Sequence, residues 1–228
     1  MPRNVRIPKV DKNNPALREL MRKVREEVGA AFEHRPYLRV AFNLAALHFL
    51  DETIVKDVRE IFKNSPIKLE QIVLEVTERQ PLESLTKTRR VIAALQGLGV
   101  KIAIDDVGTG HSGLSYMLKL GVDIIKIDKM FVDSIGIDRN STAIVETLID
   151  LSNNMRMEIV AEGVENFEQV IHLRNLGIRA AQGDVFAPAL PCSAFLQLVE
   201  ALDALPKKAG EDTAMSKMVN ASPRARIA

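Results

Sequence analysis

The chain has 228 residues, 31 Lys plus Arg against 30 Asp plus Glu, and a net charge of +1, so it can bury one good core and carries no overall field for a nucleic-acid polymer or an anionic membrane. Its one cysteine, Cys192, excludes an internal disulfide, and the N-terminal MPRNVRIPKV lacks the apolar run of a signal peptide. No stretch approaches the ~20 apolar residues of a membrane helix, so a soluble α/β domain in a reducing compartment is expected.

Asn14 and Pro15 read as an N-cap and first helical residue, and Leu17, Leu20, Val24 and Val28 follow at helical spacing. LRVAFN is a strand ending on Asn43; Asp51 then stands ready to cap a helix with the apolar stripe Ile54, Val55, Val58, Ile61 and Phe62. QIVLE ends on Glu75. Leu85, Ile92 and Leu95 mark the next helix, closed near Gly99 just before KIAIDD, which ends on Asp105 and Asp106. DIIKID brings Lys126 and Asp128 and is followed by helical Ile144, Leu148 and Leu151. MEIVAE ends on Glu162, helical Phe167, Val170 and Ile171 come next, and IRAAQG ends on Gln182. Residues 1–13 are expected to be an N-terminal tail, 14–205 the domain, and 206–228, which mix charge with small residues, a disordered tail.

Strand starts about 20 to 35 residues apart suit parallel strands joined by crossover helices. A doubly wound open sheet calls for a Gly-rich phosphate loop after an early strand, whereas GTGHSG follows a middle strand and opens no long amphipathic helix. Burial alone does not require a polar group at the same end of every strand. The recurrence points to the C-terminal rim of a TIM-type (β/α) barrel, where catalytic side chains collect.

Asn43, Glu75, Asp105, Asp106 and Glu162 offer only oxygen donors, the preference of hard cations such as Mg²⁺ or Mn²⁺. Adjacent carboxylates are costly to bring together unless a cation neutralises them, and two ions would clamp both oxygens of a phosphodiester displacement. Lys126 would position the attacking water or stabilise the phosphate. Singly, each residue has a plainer reading as a cap or solvated loop residue, and Asp105 and Asp106 could merely cap a helix near Leu114. VGTGHSGLS, with Gly108, Gly110 and Gly113, reads either as a mobile turn or as a loop brought close to metal or ligand. His34, His48, His111 and His172 read as structural or exposed, and Cys192 as packing.

Taken in order, FNLAA, LEVTE, IDDVGTGHSGL, DIIKID, AEGVE and AQGDVFAP resemble the EAL domain of bacterial cyclic di-GMP phosphodiesterases, from about Asn14 to Leu205. The resemblance implies a modified TIM-type barrel that hydrolyses cyclic di-GMP to linear pGpG with Mg²⁺ or Mn²⁺, two ions, in the cytoplasm. It also implies metal ligands at Asn43, Glu75, Asp105 and Asp106, and groups holding metal and attacking water at Lys126 and Glu162. Glu78 matches a residue that steadies the loop after the paired aspartates, Glu165 a supporting residue, and Gln182 a substrate-binding one. That loop serves dimer contact in the family, so a homodimer is implied, although Val107, His111 and Gly113 depart from the usual DDFGTGYSSL.

The Glu-Ala-Leu strand itself is absent, since only fourteen residues precede Pro15 and VRIPKV contains no Glu. Six strands are countable where a complete barrel has eight and about 250 residues. The expectation is therefore an N-terminally incomplete domain, with a gap or exposed apolar wall between first and last strands and impaired turnover. The alternative is a non-catalytic cyclic di-GMP receptor or protein-interaction module; a different metal-dependent barrel enzyme, such as an enolase-like lyase, is disfavoured by the motif order.

Overall fold

The computed structural model describes residues 15–77, 84–107 and 119–204. Both expected tails, Glu78 and the GTGHSG loop with His111 lie outside these. Six strands, β1 (Val40–Leu44), β2 (Ile72–Thr77), β3 (Lys101–Val107), β4 (Ile124–Ile127), β5 (Glu158–Ala161) and β6 (Ala180–Ala181), pair in sequence order, and every pair is parallel. Sequential order means that the sheet always winds in one direction, as a barrel does, and never reverses as a doubly wound sheet must.

Seven helices accompany the strands among the described residues: α1 (Pro15–Phe32), α2 (Thr53–Phe62), α3 (Leu85–Gln96), α4 (Lys129–Ser134), α5 (Arg139–Met155), α6 (Phe167–Asn175) and α7 (Cys192–Asp203). Asp51 does cap α2: its Oδ1 accepts from the Thr53 N–H at 2.9 Å. Gly99 turns the chain after α3 at φ +99°, a conformation that carries little steric cost only without a Cβ. No described helix is long and apolar enough to cross a membrane.

Two observations show how far the sheet curls. Arg39, at the entry to β1, donates to Glu158 of β5 at 2.6 Å, although these strands are four places apart in the sheet. On a flat sheet, at ~4.8 Å per strand, they would be about 19 Å apart, beyond the reach of both side chains. The second is the division of the core. Val73, Ala103, Ile124, Val160 and Ala180, with Ala41 beside them, form a small cluster of their own on the concave face. The larger cluster, including Leu74, Ile102, Ile104, Ile125 and Ile127, lies between the convex face and the helices.

β1 and β6 pair with no second strand among the described residues, which leaves the sheet open there. The expected gap between first and last strands is thus present, while Val40, Phe42, Leu44, Ala180 and Ala181 at its two edges are buried. Helix α7 packs against α1, and Asp203 at its end accepts from Arg35 and Tyr37, tying the last helix to the loop before β1. Two helix faces also differ from the sequence reading. Phe167 and Ile171 are 73% and 58% exposed, and α6 buries Leu173 instead. Ile144 is partly exposed too, because α5 presents Val145, Leu148, Ile149 and Ser152 to the core. A nine-residue helix with several apolar positions can be rotated either way, and the packing surface chose the face.

Candidate active site

The concave cluster fixes where the site must be. Side chains alternate along a strand, so positions two residues beyond Ala41, Val73, Ala103, Ile124, Val160 and Ala180 share their face, one layer nearer the strand C-termini. Those positions are Asn43, Glu75, Asp105, Lys126, Glu162 and Gln182. The apolar layer is thus the floor of a polar one built from all six strands.

Lys126 is the hub. Its ammonium lies 2.9 Å from Glu75 Oε2 and 3.5 Å from Asp105 Oδ1, and pairs directly with Glu162 Oε1. Lys126 and Glu75 are each 4% exposed and Glu162 9%, so these charges meet away from water, where pairing counts most. Burial disfavours the charged ammonium, but Glu75, Glu162 and Asp105 together outweigh it and hold its pKa above the ordinary lysine value. Glu162 responds in the opposite way for a carboxyl: burial pushes it up to about 7, Lys126 pulls against this, and Asp105 and Glu75 add to it.

Two adjacent strand residues ordinarily point to opposite faces, so Asp105 and Asp106 need a special backbone to converge. The β3–β4 register shifts between Ile104 and Val107, and Asp106 adopts φ +59°, a left-handed conformation that aspartate tolerates better than most residues. This bulge turns both carboxylates to one side. Oxygens of Asp105, Asp106 and Glu162 lie within 4.8 Å of one another. A dense, all-oxygen donor set of this kind fits a hard divalent cation.

Glu162 is held from beyond its own strand. Gln182 Nε2 donates to its Oε1, so the last strand end braces the acid it faces. The Val164 N–H donates to the Gln182 carbonyl at 3.0 Å, and the Val185 N–H donates to the Val164 carbonyl at 3.1 Å, which zips the loops after β5 and β6 together. Gly183 makes this contact feasible: a Cβ there would lie 2.1 Å from Val164 O. Gly183→Ala is expected to lower unfolding free energy by about 1–3 kcal/mol in urea titrations, as overpacking against fixed backbone does.

Asn43 is exposed and level with Glu75 in the β1–β2 register. Glu165 is set away from the cluster, its carboxylate 3.0 Å from Lys129 Nζ, so it ties the loop after β5 to α4. Asp128 caps α4, accepting from the Met130 N–H at 2.7 Å. His48 is buried, with Nδ1 accepting from the Ala45 N–H at 3.1 Å, while His34 and His172 are exposed. The bracing of Glu162 by Gln182, and the Gly183 contact behind it, were not part of the sequence reading; the only hint was a glycine immediately following a polar strand end.

A parallel sheet curled in one direction, with carboxylates and a lysine gathered at its strand C-termini, has the geometry of a barrel rim, where functional side chains collect. The chain belongs to the EAL domain family, whose model matches residues 6–189. It is 38% identical over 157 residues to the probable cyclic di-GMP phosphodiesterase PdeD of Escherichia coli K12, covering 68% of this chain and 29% of that one. Its structure resembles the EAL domain of Mycobacterium smegmatis DcpA with a TM-score of 0.74 and 28% identity, over 83% of this chain and 84% of that domain. It also resembles Klebsiella pneumoniae BlrP1 in a manganese and cyclic di-GMP complex, TM-score 0.64 and 29% identity, over 73% of this chain and 43% of that one. The chain thus spans less than a third of PdeD, although it accounts for most of the DcpA domain.

Proposed function

We propose that this chain hydrolyses cyclic di-GMP to linear pGpG with two divalent ions, Mg²⁺ or Mn²⁺. The observation that carries the reading is the convergence of Asp105, Asp106 and Glu162 oxygens within 4.8 Å, beside a lysine paired with Glu75. Asn43, Glu75, Asp105, Asp106 and Glu162 would hold the ions, which when bound supply a Lewis acid for the phosphate and a more acidic water. Lys126 and Glu162 are the proposed catalytic pair: the buried ammonium offsets charge on the phosphoryl oxygens, and Glu162 orients the attacking water. Gln182 braces Glu162 through Nε2, and its side-chain amide is the proposed substrate contact. The nucleotide is an intracellular messenger, so a cytoplasmic site of action belongs to the same reading, as does the homodimer implied by the family's use of the loop after the paired aspartates.

The test is pGpG release from cyclic di-GMP, resolved by chromatography, with Mg²⁺, Mn²⁺ or Ca²⁺. Turnover is expected with the first two and much less with Ca²⁺, whose larger and looser coordination sphere does not hold octahedral geometry. Binding of cyclic di-GMP with no pGpG in any of the three would make the chain a receptor and overturn the hydrolytic reading.

A further inference from the structure

Lys126 makes more bonds to carboxylates than a group reserved for substrate needs. Its ammonium reaches acids on three other strands, Glu75 on β2, Asp105 on β3 and Glu162 just past β5, and it rises from β4 between them. It is 4% exposed, and it touches Asp105 and Glu162, two of the three acids whose oxygens lie within 4.8 Å of one another and would suit a divalent ion. An ion at Asp105 and Glu162 and an ammonium against the same two carboxylates are like charges held close together in a buried site, so each weakens the hold of the other.

We propose that Lys126 is a resident counter-ion of the metal-free site, and that metal loading displaces its ammonium from Asp105 and Glu162. The inference rests on the metal-dependent reading above and extends it to regulation: the lysine keeps the converging acids assembled and folded without metal, and it sets the threshold concentration at which metal enters. Metal affinity is lowered by the fraction of molecules in which the lysine occupies the site, as for any ligand whose competent state is a minor one. A lysine whose ammonium lay clear of these acids would have no such effect on metal binding.

Mn²⁺ alone is the probe, titrated by paramagnetic resonance of the free ion into wild type, Lys126→Met and Lys126→Gln, alongside thermal melts with and without the ion. Both variants are expected to bind Mn²⁺ about tenfold or more tightly than wild type. Both should melt lower without metal and gain more from it. Equal or weaker Mn²⁺ binding by the variants overturns the proposal, and does so without touching the hydrolytic reading if wild type still binds Mn²⁺ and turns over. Binding by the variants with none by wild type supports the proposal, whereas binding by neither overturns both readings. Should both variants fail to fold, acetylation of Lys126 in the unaltered protein, followed by mass spectrometry, decides. The amine should be protected without metal and acetylated severalfold faster with Mn²⁺, and an unchanged rate overturns the proposal.

Discussion

Asp105→Asn is expected to reduce pGpG release by at least about a hundredfold, more than the 10–100-fold typical of losing a group one shell further out. Among the described residues, Asp105 and Glu162 are the two carboxylates that both approach the lysine, Asp105 at 3.5 Å, and belong to the three-acid cluster with Asp106. The amide is nearly isosteric and can still accept the Asp106 N–H bond, now 3.0 Å from Oδ1, so the bulge should survive. Fold and activity are thereby separated: circular dichroism and melting should remain close to wild type while turnover disappears. Turnover within threefold of wild type would exclude a bridging role for Asp105 and with it the two-ion arrangement.

The sequence made the polar end of each strand legible, because residues such as Glu75, Asp105 and Glu162 follow runs of Val, Ile and Ala with no apolar reason to be there. It also made the parallel order legible, since each run is followed by a helix-length segment. It could not show the layer beneath. Ala41, Val73, Ala103, Ile124, Val160 and Ala180 look like any strand residues until curvature brings them together as one small cluster. Nor does IDD announce a bulge: the φ of +59° at Asp106 is set by the register between β3 and β4, a pairing of segments about twenty residues apart. Phe167 and Ile171 are exposed for the same reason, because periodicity identifies a helix while the neighbouring elements decide which side of it is covered.

The metal-free protein is expected to lose stability as pH rises through about 7, and Glu162→Gln to remove that loss. The Glu162 carboxyl titrates near 7 when folded against 4.5 for an ordinary glutamate, with burial the first cause. A raised folded pKa means that the native state binds the proton more tightly, so this contribution is fully present below pH 4.5 and is lost as pH passes through the folded value. At about 1.4 kcal/mol per unit, and with Lys126 sharing the titration, the loss between pH 5 and 8 is on the order of 1–3 kcal/mol. His48 runs the other way: burial lowers its pKa, so its contribution is present above the ordinary histidine value and is lost as pH falls. The difference between wild type and Glu162→Gln cancels the His48 contribution and isolates the carboxyl. Glutamine keeps the shape and can still accept from Gln182, which limits the change to the proton. Urea unfolding of both proteins in chelator at pH 5, 6.5 and 8 measures the difference, and parallel curves for the two proteins would show that Glu162 carries no such proton in the folded state.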